Sequence, residues 1–333
     1  MLAGKMQRVL LLSVLLFASH CVGEEPARTE LAAGNSVPKA GKYAAPTRKS
    51  VAKAVKRLFD FALTPDMKTA DLDVPKSAVN KLIGYVVKGP DKPSAYLSIL
   101  HPSPTKIQLA IRDDSIFIPG GKPADAQRGF RRTDVNPAID KTTTLTGVTT
   151  WYQTIRLDSK APLALSHGYL FASIEVPVRD HIFDIFGGSY FNPKNIYHQP
   201  MSNSRTIRVR DFQGKTLLSL PLKYDQNYNF AVTVDWIQNT LTVYSSIGTD
   251  PLKKAVGPMY NDPKAISPEF KHKGEYHLQL LKYPLPDAKI PAEKRLDVPH
   301  FGFQEPIKQE HVSFSNVFVT SGTQIEQPEF SDQ

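Results

Sequence analysis

Hydrophobic and polar residues alternate with a period of two through much of the chain. In residues 229–236, NFAVTVDW, Phe230, Val232, Val234 and Trp236 fall on one side. That is the pattern of a strand with one buried face. Residues 241–244 resume the pattern after Gln238-Asn239-Thr240, a spacing that predicts a hairpin. Residues 169–178, YLFASIEVPV, separate Leu170, Ala172, Ile174, Val176 and Val178 from Tyr169, Phe171, Ser173 and Glu175. The first set predicts a core face, and the second a face that meets water or a ligand. Shorter strand-like runs occupy 96–100, 106–111, 130–134, 151–157, 181–186, 205–209, 276–281 and 312–319. No stretch sustains a 3.6-residue apolar period, and residues 51–59 are equivocal between a short helix and coil. The 27 prolines point the same way, since helix interiors tolerate proline poorly. Many short strands joined by Gly/Pro turns predict an all-β fold, a two-sheet antiparallel sandwich of the β-jelly-roll kind.

The two ends differ from this body. Residues 1–23 carry Lys5 and Arg8 ahead of a short apolar run at 9–17, with Gly23 at a cleavage-like position. These are the parts of a secretory signal, and the run is too short to span a bilayer. The expected product is secreted and extracellular. Residues 24–50 are rich in Ala, Gly, Pro and charge, which predicts a disordered basic linker. The folded domain is then expected over 51–325, with a C-terminal tail at 326–333.

Charge and cysteine narrow the chemistry. The formal net charge is +9; the signal holds two cations and no acid, which lowers it to +7. Much of the excess sits at 39–57, as a solvated basic arm. The one cysteine, Cys21, lies before the expected cut. The mature chain would then have neither a disulfide nor a thiolate for zinc or catalysis. His20 precedes Cys21, which argues against a lipid anchor there. No HxH, HExxH, GxSxG, P-loop or GxGxxG string occurs, and nucleic-acid signatures are absent. Neither a metal, a cofactor nor a nucleic-acid partner is expected.

What remains is carboxylates on sheet faces shared with cations and aromatics. In 130–134, FRRTD, Arg132 and Asp134 share one strand face, while Arg131 and Thr133 share the other. Glu175 lies on the polar side of its own strand. Aromatic rings cover the apolar faces of sugars, and a pair of carboxylates can perform acid–base chemistry on a glycosidic bond. A surface ion pair at Arg132–Asp134 and an exposed strand residue at Glu175 explain the same patterns without chemistry.

Residues 115–137, SIFIPGGKPADAQRGFRRTDVNP, resemble the signature of fungal glycoside hydrolase family 131, an S-I-F-x-P-G-G turn followed by F-R-R-x-E-L-x-P. Other segments fit in order: LFDFALTPDMKTADLD, RLDSKAPLALSHGYLFASIE, NFAVTVDWIQNTLTVYSSIGTDPLKKAV, GEYHLQLLK and HFGFQE. The resemblance runs from about 57 to 322. It implies a secreted jelly roll with a concave cleft that hydrolyses β-glucan, with breadth over β-1,3, β-1,6 and β-1,4 linkages. The partner is then a cell-wall polysaccharide, and the protein is expected to be a monomer.

Carried over residue by residue, the resemblance makes Asp134 and Glu175 the catalytic pair and Arg132, His277 and Lys282 the substrate-binding groups. Asp134 stands where the family signature has glutamate. The loss of one methylene withdraws its oxygens by about 1.5 Å, and a misplacement near 1 Å can cost about 100-fold in rate. Residues 308–314, KQEHVSF, also depart from the family's closing segment. Three readings stay open: a β-glucan hydrolase, a glucan-binding protein or effector with little catalysis, and a glucuronan-type lyase using Lys, Arg and His. On the first, Asp134→Asn removes hydrolysis and leaves the melting temperature near that of the wild type.

Overall fold

The computed structural model describes residues 55–331. The expected signal at 1–23 and basic linker at 24–50 lie outside the described residues. Within them the chain folds as two antiparallel sheets. One contains β1 (Arg57–Asp60), β3 (Leu97–Leu100), β4 (Lys106–Ile111), β6 (Val148–Leu157), β11 (Asn227–Asp235), β12 (Thr240–Ile247), β13 (Lys253–Tyr260) and β15 (Glu310–Ser321). Its order is β13-β12-β11-β6-β15-β4-β3, with β1 paired to β15. The other contains β2 (Ile83–Val87), β5 (Arg131–Pro137), β7 (Gly168–Glu175), β8 (His181–Gly188), β9 (Thr206–Asp211), β10 (Thr216–Pro221) and β14 (Glu275–Lys282), in the order β10-β9-β8-β7-β14-β5-β2. One four-residue helix, α1 (Lys141–Thr144), and short 3-10 turns join them among the described residues. No helix among the described residues is long and apolar enough to cross a membrane.

The expected sandwich is present, and its core lies between the sheets. Ile107, Trp151, Phe230, Val232 and Phe314 from the eight-stranded sheet meet Val135, Phe171, Ile185, Val209 and Leu278 from the seven-stranded one. Each fully buried side chain of this size is worth about 1.5–3 kcal/mol. Trp151 meets Tyr276 edge-on at 5.0 Å, and the Tyr276 hydroxyl donates to Gln153 Oε1 at 2.6 Å. A polar tip is thus satisfied inside an apolar layer.

Three local expectations change. Residues 57–60 form β1 rather than a helix, because pairing with β15 decides an equivocal pattern. The alternation of 169–178 does not hold through β7. Its register shifts against both β8 and β14 between Leu170 and Ala172. Tyr169 and Phe171 therefore join the core with Ala172 and Ile174, while Leu170 clusters with Phe130, Phe186 and Leu281 outside it. A slip of one residue inverts which face each side chain meets. Lastly, packing continues past 325. Ile325 and Phe330 lie on Tyr152, Leu252 and Phe318, and Gln327 exchanges two hydrogen bonds with the Leu252 backbone.

Candidate active site

The outer face of the seven-stranded sheet carries a cleft of about 380 Å³. Strand alternation builds its floor. On β5, Thr133 gives its hydroxyl proton to Ala110 O and Val135 enters the core, so Arg132, Asp134 and Asn136 point outward. On β14, Tyr276, Leu278 and Leu280 fill the core, leaving Glu275, His277, Gln279 and Leu281 on the cleft face. Beyond its register shift, β7 presents Glu175. Tyr85 and Phe117, edge to face at 6.4 Å, form one wall. Phe130 and Tyr283, at 5.2 Å, form the other with Pro299. Gly129 lets that wall close: a Cβ there would sit 2.0 Å from Val298 O, so only glycine permits the approach.

Four of the five expected site residues meet on this floor. Arg132 clamps Asp134 with two hydrogen bonds, one from Nε to Oδ1 at 3.3 Å and a second from Nη2 to Oδ2. Asp134 Oδ2 is also 3.5 Å from His277 Nδ1. His277 Nε2 lies 3.8 Å from Glu175 Oε2. The Asn136 amide nitrogen lies 3.3 Å from His277 Nε2, and the other ring nitrogen, Nδ1, faces Asp134. Burial pushes the Asp134 carboxyl up, but the Arg132 guanidinium and His277 outweigh it and hold the group below the ordinary carboxylate range. Burial works against the charge on Arg132, but Asp134, and less strongly Glu175, outweigh it and raise its pKa.

Asp134 and Glu175 differ sharply in access. The Asp134 side chain is 0% exposed, whereas Glu175 is 32% exposed. The shortened carboxylate lies beneath the cleft surface and touches the cleft only through Arg132 and His277.

Lys282, expected to bind substrate, faces the other way. It is 1% exposed and donates to Glu310 Oε1 at 2.7 Å across the core, where the Tyr169 hydroxyl donates to Glu310 Oε2 at 2.9 Å. Five positions separate it from His277, and an odd separation on a regular strand puts two side chains on opposite faces. This buried pair ties the two sheets together and leaves Lys282 out of the cleft.

Several cleft groups were not singled out from the sequence. Glu275 is the strand partner of Glu175 and lies 3.9 Å from His277 Nε2. His181 is the partner of Glu175 on the opposite side. Its Nδ1 donates to Asp184 Oδ2 at 2.9 Å, and Arg210 binds both Asp184 oxygens at 2.6 Å. A two-residue spacing on one strand marks Glu275 beside His277. Nothing comparable marks Asp184 and Arg210, which lie on different strands. Another cavity, of about 420 Å³, opens between Trp236, Ile237 and the 265–272 loop, but no carboxylate lines it. Among the described residues, no group of three or more His, Cys, Asp or Glu is placed to hold a metal ion.

The sequence profile of the glycoside hydrolase 131 catalytic N-terminal domain matches residues 58–324. Among solved structures, the chain is similar to a GH131 β-glucanase catalytic domain from Podospora anserina, with 18% identity over 83% of this chain and 99% of that one and a TM-score of 0.59. It is also similar to the catalytic domain of the glycoside hydrolase family 131 protein from Coprinopsis cinerea, with 15% identity over 82% and 98% of the two chains and a TM-score of 0.56. At such identities these likenesses carry the fold. No curated protein matches the chain.

Proposed function

The chain belongs to glycoside hydrolase family 131, and we propose that it hydrolyses β-glucan in the cleft of the seven-stranded sheet. One observation carries the reading. Glu175, open to the cleft, meets the His277 imidazole, whose far nitrogen faces the Asp134–Arg132 pair. A carboxyl open to substrate beside an imidazole supplies groups that can transfer protons at a glycosidic bond.

Tyr85 and Phe117 on one wall, with Phe130 and Tyr283 on the other, offer ring faces and edges to successive sugars. Gln127, Asn136 and Gln279 offer neutral hydrogen bonds to hydroxyls. Glu175 gives a proton to the departing glycosidic oxygen. Asp134 works from beneath the floor, orienting His277 and holding Arg132. The signal-like residues 1–23 support an extracellular wall polysaccharide as substrate, with β-1,3, β-1,6 and β-1,4 linkages all candidates. A uronate lyase fits less well. Lys282 is turned into the core and Arg132 is committed to Asp134, so two cations needed for a uronate carboxylate are already engaged.

The test is product analysis with β-glucans of single defined linkage. New reducing ends without ultraviolet-absorbing unsaturated sugars support hydrolysis. Unsaturated products would make the protein a lyase, and binding without products would make it a lectin-like relative of the enzymes.

A further inference from the structure

The shortening of the motif carboxylate leaves a gap in the machinery. A glycosidase needs two carboxyl groups that touch the substrate or its attacking water. Asp134 has no exposed side-chain surface and is clamped by Arg132. The cleft nevertheless holds a second open carboxylate. Glu275 is 54% exposed and lines the same cleft as Glu175. The two are direct partners across the β7–β14 ladder, and His277 Nε2 lies 3.8 Å from one and 3.9 Å from the other. Two further contacts hold Glu275 in place. Lys141 Nζ lies 3.2 Å from Oε1, and the Asn136 amide donates to Oε2 at 3.3 Å.

We propose that Glu275 is the second catalytic carboxylate and acts as the base that activates water, the role that a buried Asp134 does not reach. The step rests on the hydrolase reading above. Ion-paired with Lys141, Glu275 begins as a carboxylate and takes a proton from a water molecule. The water oxygen bonds to the anomeric carbon as the bond from that carbon to the glycosidic oxygen breaks. Glu175 gives its proton to the departing oxygen. After the step Glu275 is protonated and Glu175 ionised, and the proton returns through solvent or through the His277 ring between them.

The experiment uses two substrates, β-glucan and dinitrophenyl glycosides of β-glucan oligosaccharides, whose leaving group needs no proton. Glu275→Gln is expected to keep its melting temperature, as an exposed substitution should, and to lose at least about 100-fold in kcat on both substrates. Glu175→Gln is expected to lose activity on β-glucan but to retain most of it on the dinitrophenyl substrate. Glu275→Gln within about tenfold of the wild type on β-glucan would overturn the proposal. Loss on β-glucan with dinitrophenyl activity intact would also overturn it, since that marks an acid. Wild-type protein inert on every β-glucan would overturn the hydrolase reading itself, and this step with it.

Discussion

Two clusters of the same three residue types flank Glu175 on the outer face of the seven-stranded sheet. Arg132, Asp134 and His277 lie on one side of Glu175, and Arg210, Asp184 and His181 on the other. In both, the aspartate is buried, burial raises its pKa, and the arginine and histidine outweigh that effect and lower it. The histidines differ. His181 is hydrogen-bonded to Asp184 at 2.9 Å, and Arg210 lies 4.0 Å from the Phe186 ring centre. His181 too lines the cleft, but its Nδ1 is spent on Asp184. His277 is 3.5 Å from its aspartate and sits between two open carboxylates. A buried Arg–Asp–His set is thus a support, and its use in chemistry rests on how near its histidine comes to open carboxylates.

The largest expected difference lies in turnover. His277→Ala should lower kcat on β-glucan by at least about 100-fold and distort its pH profile, because the ring links both carboxylates to the floor. His181→Ala should stay within about fivefold of the wild type, since a supporting contact carries no proton in the reaction. Equal losses in the two variants would erase the distinction between the clusters.

In stability the clusters should behave alike. Asp134→Ala and Asp184→Ala each leave a buried guanidinium without its partner, a loss of about 3–5 kcal/mol, measurable by denaturant titration. From the sequence alone, Asp134→Asn is expected to spare the melting temperature. The geometry reverses that expectation, because the residue proves to be a buried structural partner. A loss confined to one cluster would show that the other arginine finds new partners.

The smallest effect is in acid. Both aspartates have folded pKa values below their unfolded value of about 3.9. Their stabilisation is therefore complete above that value and disappears as pH falls through the folded ones. Asp134→Asn and Asp184→Asn should each flatten the fall in stability below about pH 4 relative to the wild type. An unchanged acid limb in either variant would mean that its aspartate is not held in the ionised form.

The two clusters also mark what was legible beforehand. Arg132 and Asp134 are two positions apart on one strand, so alternation alone puts them together. Arg210 and Asp184 are cross-strand partners, and no local pattern reports a partner 26 residues away. The sandwich was readable because its central strands bury a regular face. Strands β2, β10 and β13 went unseen because they are sheet edges, half-exposed and without a clean period. The shift within β7 was invisible for a related reason, since register belongs to the pairing and not to the strand. Lys282 is a different case. Its odd spacing from His277 already put it on the core face, and the resemblance to the family drew it into the site against that pattern.

The most direct measurement follows reducing-end release from soluble β-glucan by the wild type and by Glu175→Gln, with folding of both checked by thermal melting. The account predicts steady hydrolysis by the wild type and a loss of at least about 100-fold in the variant at an unchanged melting temperature. Hydrolysis by folded Glu175→Gln at the wild-type rate would contradict it.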